Sequence, residues 1–190
     1  MNLHFNTSEG LFDIEDDILL FIQNNFRSEN LNDIVKFITH LGDKGLLWCF
    51  ISIILILTEK HCKTGLKLAA SQGIGSIITN LITKNAVHRS RPFDVIAGLE
   101  TIIPPPSDWS FPSGHTTSSI AAGTLLFMCM PKKYGIPALV LGICISLSRM
   151  YVGVHYPTDI IAGALVGIFA AISANKLIDK ISARVASIKK

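Results

Sequence analysis

Residues 148–159 read SRMYVGVHYPTD and set an arginine, a histidine and an aspartate between two apolar runs, LVLGICISL and IIAGALVGIF. Charge beside hydrocarbon is costly and is kept where it is used. His155 precedes Pro157, a residue favoured in the first helical turn, so Asp159 falls within that turn and reaches back to one imidazole nitrogen. A carboxylate in that position fixes the tautomer and stabilises the imidazolium, leaving the other nitrogen free to attack phosphorus. Two more polar stretches carry matching chemistry: KNAVHRSRP (84–92) and FPSGH (111–115). Lys84, Arg91 and Arg149 are three cations, and the planar arginine fork suits phosphoryl oxygens. In PSGH, Ser113 suits a helix N-cap, and Gly114 lets a ligand approach backbone N–H groups that a helix start leaves unpaired. His115 then serves as general acid for the leaving oxygen. The chemistry is phosphoryl transfer to a histidine.

Each residue alone has a plainer use. A Lys or Arg at a helix end commonly anchors by snorkelling, PSGH can simply start a helix, and His-x3-Asp can ligate a metal. Three neighbouring cations would repel a metal and attract an anion, so no metal and no other cofactor is expected. His4, His40, His61 and His88 have no supporting neighbours in the sequence and read as structural or solvent-facing.

These residues need elements to hold them. The chain has 190 residues, of which 49% are hydrophobic and 16% charged, and the apolar residues are bunched into runs. A helix crossing the ~30 Å hydrocarbon layer needs roughly 17–25 mostly apolar residues. Five segments approach that pattern: about 45–58, 63–83, 116–130, 134–150 and 157–178. An all-α integral membrane bundle of five to six transmembrane helices follows, with the catalytic core in residues 45–178. Residues 11–26 and 31–41 are amphipathic, too short and too charged to span, and predict interfacial helices in an N-terminal region 1–44. Gly42 marks a break. Residues 179–190 form a basic cytoplasmic tail, and the N-terminus lacks the pattern of a cleaved signal peptide.

The net charge of +3 is dispersed, without the basic stripe that nucleic acid requires, so no nucleic-acid partner is expected. The four cysteines form no CxxC pair and imply neither a disulfide framework nor a zinc site. Lys60, Lys63, Lys67, Lys132, Lys133, Lys176, Lys180, Arg184, Lys189 and Lys190 gather on one side, which the positive-inside rule makes cytoplasmic. Every polar motif then falls on the opposite, extracytoplasmic face of a multi-pass cell-membrane protein. Convergence of three separate clusters on one face says more than any single motif.

Together the clusters resemble the type 2 phosphatidic acid phosphatase superfamily, with its signature K-x6-R-P, P-S-G-H and S-R-x5-H-x3-D. Here it reads Lys84–Arg91–Pro92, Pro112–Ser113–Gly114–His115 and Ser148–Arg149–His155–Asp159, in order and with matching spacings. The resemblance implies metal-independent hydrolysis of a membrane lipid phosphate or diphosphate through a phosphohistidine. In that scheme His155 is the nucleophile, Asp159 orients it and His115 is the acid and base. Lys84, Arg91, Ser113, Gly114 and Arg149 hold the phosphoryl group. The approach RPFDVIAGLETIIPPPSDWSFPSGH is most similar to the undecaprenyl-diphosphate phosphatases of the bacitracin-resistance type. Phosphatases of phosphatidylglycerophosphate or phosphatidic acid are the alternative. Vanadate-dependent haloperoxidases share the pocket motif but are soluble, and a lipid-phosphate binder would have no use for a nucleophile and an acid.

Overall fold

The computed structural model describes residues 7–188, with side chains from residue 14 onward; His4, Lys189 and Lys190 lie outside. Every regular element among the described residues is helical. Helix α1 (Thr7–Phe26) leads to α2 (Glu29–His40), which Ser28 caps by accepting from the Leu31 N–H. A tight turn over residues 42–45 then redirects the chain into α3 (Leu46–Leu57), with Lys44 and Gly45 at φ 52° and 67°. α4 (Cys62–Ser76) runs without a break through a π-helical stretch (Ile77–Thr83) into α5 (Lys84–Val87). Such wide turns are frequent at functional sites, and this one ends on Lys84. The connection between α5 and α7 contains a short α6 (Pro92–Val95). α7 (Gly114–Cys129), α8 (Lys132–Tyr151) and α9 (Pro157–Ile188) complete the bundle.

Among the described residues, three helices are long and apolar enough to cross a membrane: 29–57, 132–151 and 157–188. The 29–57 span joins α2 to α3, which supplies the length that 45–58 lacked. α9 continues past the expected end at Ile178 to Ile188. At ~1.5 Å per residue its length of about 48 Å exceeds the ~30 Å hydrocarbon thickness. The other two expected segments are the α4–π rod and α7.

α7 is the bundle's centre and packs on α4, α8 and α9. Its residues are mainly small or hydroxylated because helix backbones press against it. A Cβ at Gly142 would lie 2.6 Å from the Ser119 carbonyl oxygen, and one at Gly167 would lie 2.7 Å from that of Thr117. Close approach of this kind is how helices gain contact in lipid, where the surroundings are as apolar as the side chains. Trp48, Leu68, Leu125 and Ile145 fill the core beside α7, and the Trp48 indole N–H donates to Ser119 Oγ at 3.0 Å. Outward-facing Ile136, Val140, Ile143 and Leu147 form an exposed stripe at helical spacing along α8, as a lipid-facing surface requires. The protein is an all-α integral membrane bundle.

Candidate active site

The cluster builds upward from the α8–α9 corner. The chain leaves α8 at Tyr151 and turns at Gly153 (φ 81°) before Pro157 opens α9. This corner presents His155 to the interior with Asp159 one turn beneath it. His155 Nδ1 lies 3.2 Å from Asp159 Oδ2, and both side chains are almost wholly buried. The Asp159 carboxylate also accepts from Ser110 Oγ (2.5 Å), the Tyr156 N–H (2.9 Å) and Arg89 (2.8 Å). Four donors hold it oriented. Burial most strongly disfavours the charged form of His155. The bond to Asp159 opposes this, Arg91 and Arg149 add to it, and the imidazole is pushed down to about 3.

The remaining nitrogen, Nε2, lies 3.4 Å from an Arg91 Nη1. Arg91 is itself fixed, donating to the Val154 carbonyl (2.8 Å), the Asp108 carbonyl (2.8 Å) and the Asp108 carboxylate (2.6 Å). Lys84 pairs with the same carboxylate. Burial pushes the Asp108 carboxyl up, but Lys84 and Arg91 outweigh it and hold the group at about 2. Arg149 donates to Thr39 Oγ1 at 2.5 Å, while its buried Nε has no partner among the described residues.

Lys84, Arg91, Gly114, His115, Arg149 and His155 all line one cavity of about 1000 Å³. Two imidazoles and three guanidinium or ammonium groups therefore share one space. Gly114 and His115 occupy the first positions of α7, whose N–H groups have no intrahelical acceptor. Ser113 does not line the cavity. Its Oγ caps α7 by accepting from the Thr116 N–H, and its own N–H donates to the Asp159 carbonyl at 3.1 Å. Among the described residues, no three His, Cys, Asp or Glu side chains converge to hold a metal, and all four cysteines are free.

Several residues here were not legible from the motifs. Arg89 joins Asp159 to Glu15 (2.6 Å), and Glu15 accepts from the Thr158 N–H (2.9 Å), so α1 closes over the corner. His40 gains a partner in Asp43 (2.9 Å), and the other oxygen of Asp43 meets His115 Nε2 at 3.0 Å. His88 adopts φ 52° after α5 and packs edge-on to Trp109. The one available signal was the string GDKG, a charged pair between glycines at the junction of two apolar helices. Arg89 and Glu15 had none.

Comparison with known proteins bears out the resemblance. A family model described as the PAP2 superfamily matches residues 64–182. The chain is 31% identical to the undecaprenyl-diphosphatase of Sulfolobus acidocaldarius over 137 residues, which are 72% of this chain and 66% of that protein. It is 31% identical over 138 residues to undecaprenyl-diphosphatase BcrC of Bacillus subtilis, 73% of this chain and 70% of that one. The match thus spans about two thirds of the length of these relatives. The crystal structure of Aquifex aeolicus LpxE has the same fold, with a TM-score of 0.74 at 24% identity over 86% of this chain and 95% of that one. The bundle and its polar corner define a multi-pass membrane protein built around a cavity lined by cations and two imidazoles. The chain belongs to the PAP2 superfamily.

Proposed function

We propose that the protein is a membrane lipid phosphatase that hydrolyses undecaprenyl diphosphate to undecaprenyl phosphate and phosphate. One observation carries this reading: His155 is held at Nδ1 by Asp159 and faces, through Nε2, the cavity shared with Lys84, Arg91, Arg149 and His115. The two relatives named as undecaprenyl-diphosphatases support the choice of lipid. The Nε2 lone pair attacks the terminal phosphorus, the bridging P–O bond of the diphosphate breaks, and undecaprenyl phosphate departs with its former bridging oxygen protonated by His115. His115, now neutral, takes a proton from water as that water attacks the phosphohistidine, and the N–P electron pair returns to His155. Lys84, Arg91 and Arg149 spread the charge on the phosphoryl oxygens, together with the N–H groups at Gly114 and His115. Phosphoryl oxygens compete with Asp108 for Lys84 and Arg91. Lys84, Arg91 and Arg149 supply the positive charge that a metal ion would otherwise bring to the phosphoryl oxygens, so chelators are expected to leave turnover intact.

The cavity faces the outside of the cell in this reading. Lys63 and Lys67 pair with Asp179 at the far end of the bundle, among the other basic residues assigned to the cytoplasm. A cysteine replacing Ser107 in a cysteine-free background is then labelled in intact cells by an impermeant maleimide, and one replacing Lys132 is not; the reverse pattern inverts the orientation.

Phosphate release from purified protein tests the activity across undecaprenyl diphosphate, phosphatidylglycerophosphate and phosphatidic acid. The expected result is the highest kcat/KM on the diphosphate. Release from none of them overturns the phosphatase reading, and a preference for phosphatidylglycerophosphate overturns the substrate alone.

A further inference from the structure

The turn between α2 and α3 belongs to the reaction site, although no part of the three-cluster signature lies in it. Asp43 Oδ1 stands 3.0 Å from His115 Nε2, and Asp43 Oδ2 stands 2.9 Å from His40 Nδ1. A side chain on the chain's first long apolar span thus clasps an imidazole from α7. The backbone is shaped to allow this. A Cβ at Gly42 would come 2.7 Å from His115 Cδ2, so only glycine lets the turn lie flat against the ring. Lys44 takes a left-handed φ of 52°, strained for a residue with a side chain. The turn itself lines the cavity, through Gly42, Asp43, Lys44 and Gly45.

We infer that Asp43 is a positioning residue for the general acid: it holds the His115 imidazole by Nε2 and so presents Nδ1 to the leaving oxygen. Arg149 and Lys84 line the same cavity as the ring, and Asp43 is the carboxylate that sits directly on it. In the transfer step His115 carries both protons. The Nε2–H stays donated to Asp43, the Nδ1–H goes to the oxygen that keeps the electron pair of the broken P–O bond, and a neutral imidazole remains. His40, on the second oxygen, keeps the carboxylate from rotating away.

This inference rests on the phosphatase reading, and its test separates the two. Phosphatidic acid loses a poorly stabilised alkoxide and needs the acid, whereas p-nitrophenyl phosphate loses a phenolate that departs without it. With Asp43→Asn, the single-turnover rate of phosphoryl transfer from phosphatidic acid falls about tenfold, less than the 10²–10⁴ that a whole general acid contributes. Nitrophenolate release from p-nitrophenyl phosphate in a single turnover, which precedes the water attack that uses His115 as base, slows less than about twofold, which also shows that the variant is folded. In a His115→Gln background the same change has no further effect, since Asp43 acts through that ring. An equal loss on both substrates, or a full additional loss in the double variant, overturns the positioning role while leaving the phosphatase reading in place. If wild-type protein releases no phosphate from either compound, it is the phosphatase reading that fails.

Discussion

The cavity holds two histidine–carboxylate pairs built to different standards. His155 and Asp159 are four residues apart, on one corner, with side chains 2% and 0% exposed. His115 and Asp43 are 72 residues apart, on separate elements, with side chains 20% and 49% exposed. A nucleophile must meet phosphorus in one orientation, and burial against a rigid corner supplies that. Departing oxygens and incoming water need access, and a half-open pair at the cavity wall permits it. Supporting contacts follow the same division. Asp159 accepts from Ser110, Tyr156 and Arg89 besides His155, while Asp43 has only the two histidines among its side-chain partners in the described residues.

Replacing the nucleophile should do most. His155→Ala is expected to lower kcat by about 10⁴-fold or more on every substrate, whatever its leaving group. Near wild-type turnover would remove His155 from the chemistry. Asp159→Asn keeps the shape but loses the charge and the preferred tautomer, so a loss of about 10³–10⁴-fold is expected, approaching that of the orienting carboxylate in a Ser-His-Asp triad. It should be the same for phosphatidic acid and p-nitrophenyl phosphate, in contrast to the leaving-group dependence at Asp43. A matching dependence at both carboxylates would erase the division between the pairs. Arg89→Gln loosens Asp159 one step further out, and a fall of about tenfold in kcat with little change in KM is expected. A change confined to KM would make Arg89 a substrate contact instead.

The smallest effect is a null one with a definite sign. Burial, reinforced by Arg91 and Arg149, depresses His155 to about 3. It should stay uncharged as pH falls through the ordinary imidazole range near ~6.5. NMR of ring-labelled histidine should show the His155 signal unmoved from about pH 8 down to about pH 5, identified by its absence in His155→Ala. A midpoint near ~6.5 would mean that the pocket is wetter than its geometry implies.

Local rules in the sequence reached far. Proline at the start of α9 put Asp159 one turn below His155, and Ser113 did cap α7. The apolar runs marked the spanning helices because lipid-facing side chains have no alternative to being apolar. Where a residue answers to distant partners, the local pattern was silent or misleading. α7 reads as weakly amphipathic and short, since its surroundings are other helices rather than lipid. Ser113 fits a phosphate ligand by motif, yet its side chain and N–H are engaged in holding α7 and α9 together. His40 and Arg89 looked ordinary because Asp43, Glu15 and Asp159 come to them only when the bundle closes.

Periodicity and fixed spacings act within a turn or two of helix, and that reach was enough to mark the membrane spans, the cation set and the His155–Asp159 pair. Bringing α1 over the corner, Thr39 to Arg149 and Asp43 to His115 joins residues 72 to 143 positions apart. No short-range preference encodes such meetings. They are decided by which helices pack side by side around α7, and the leaving-group half of the site was therefore settled by the folded bundle.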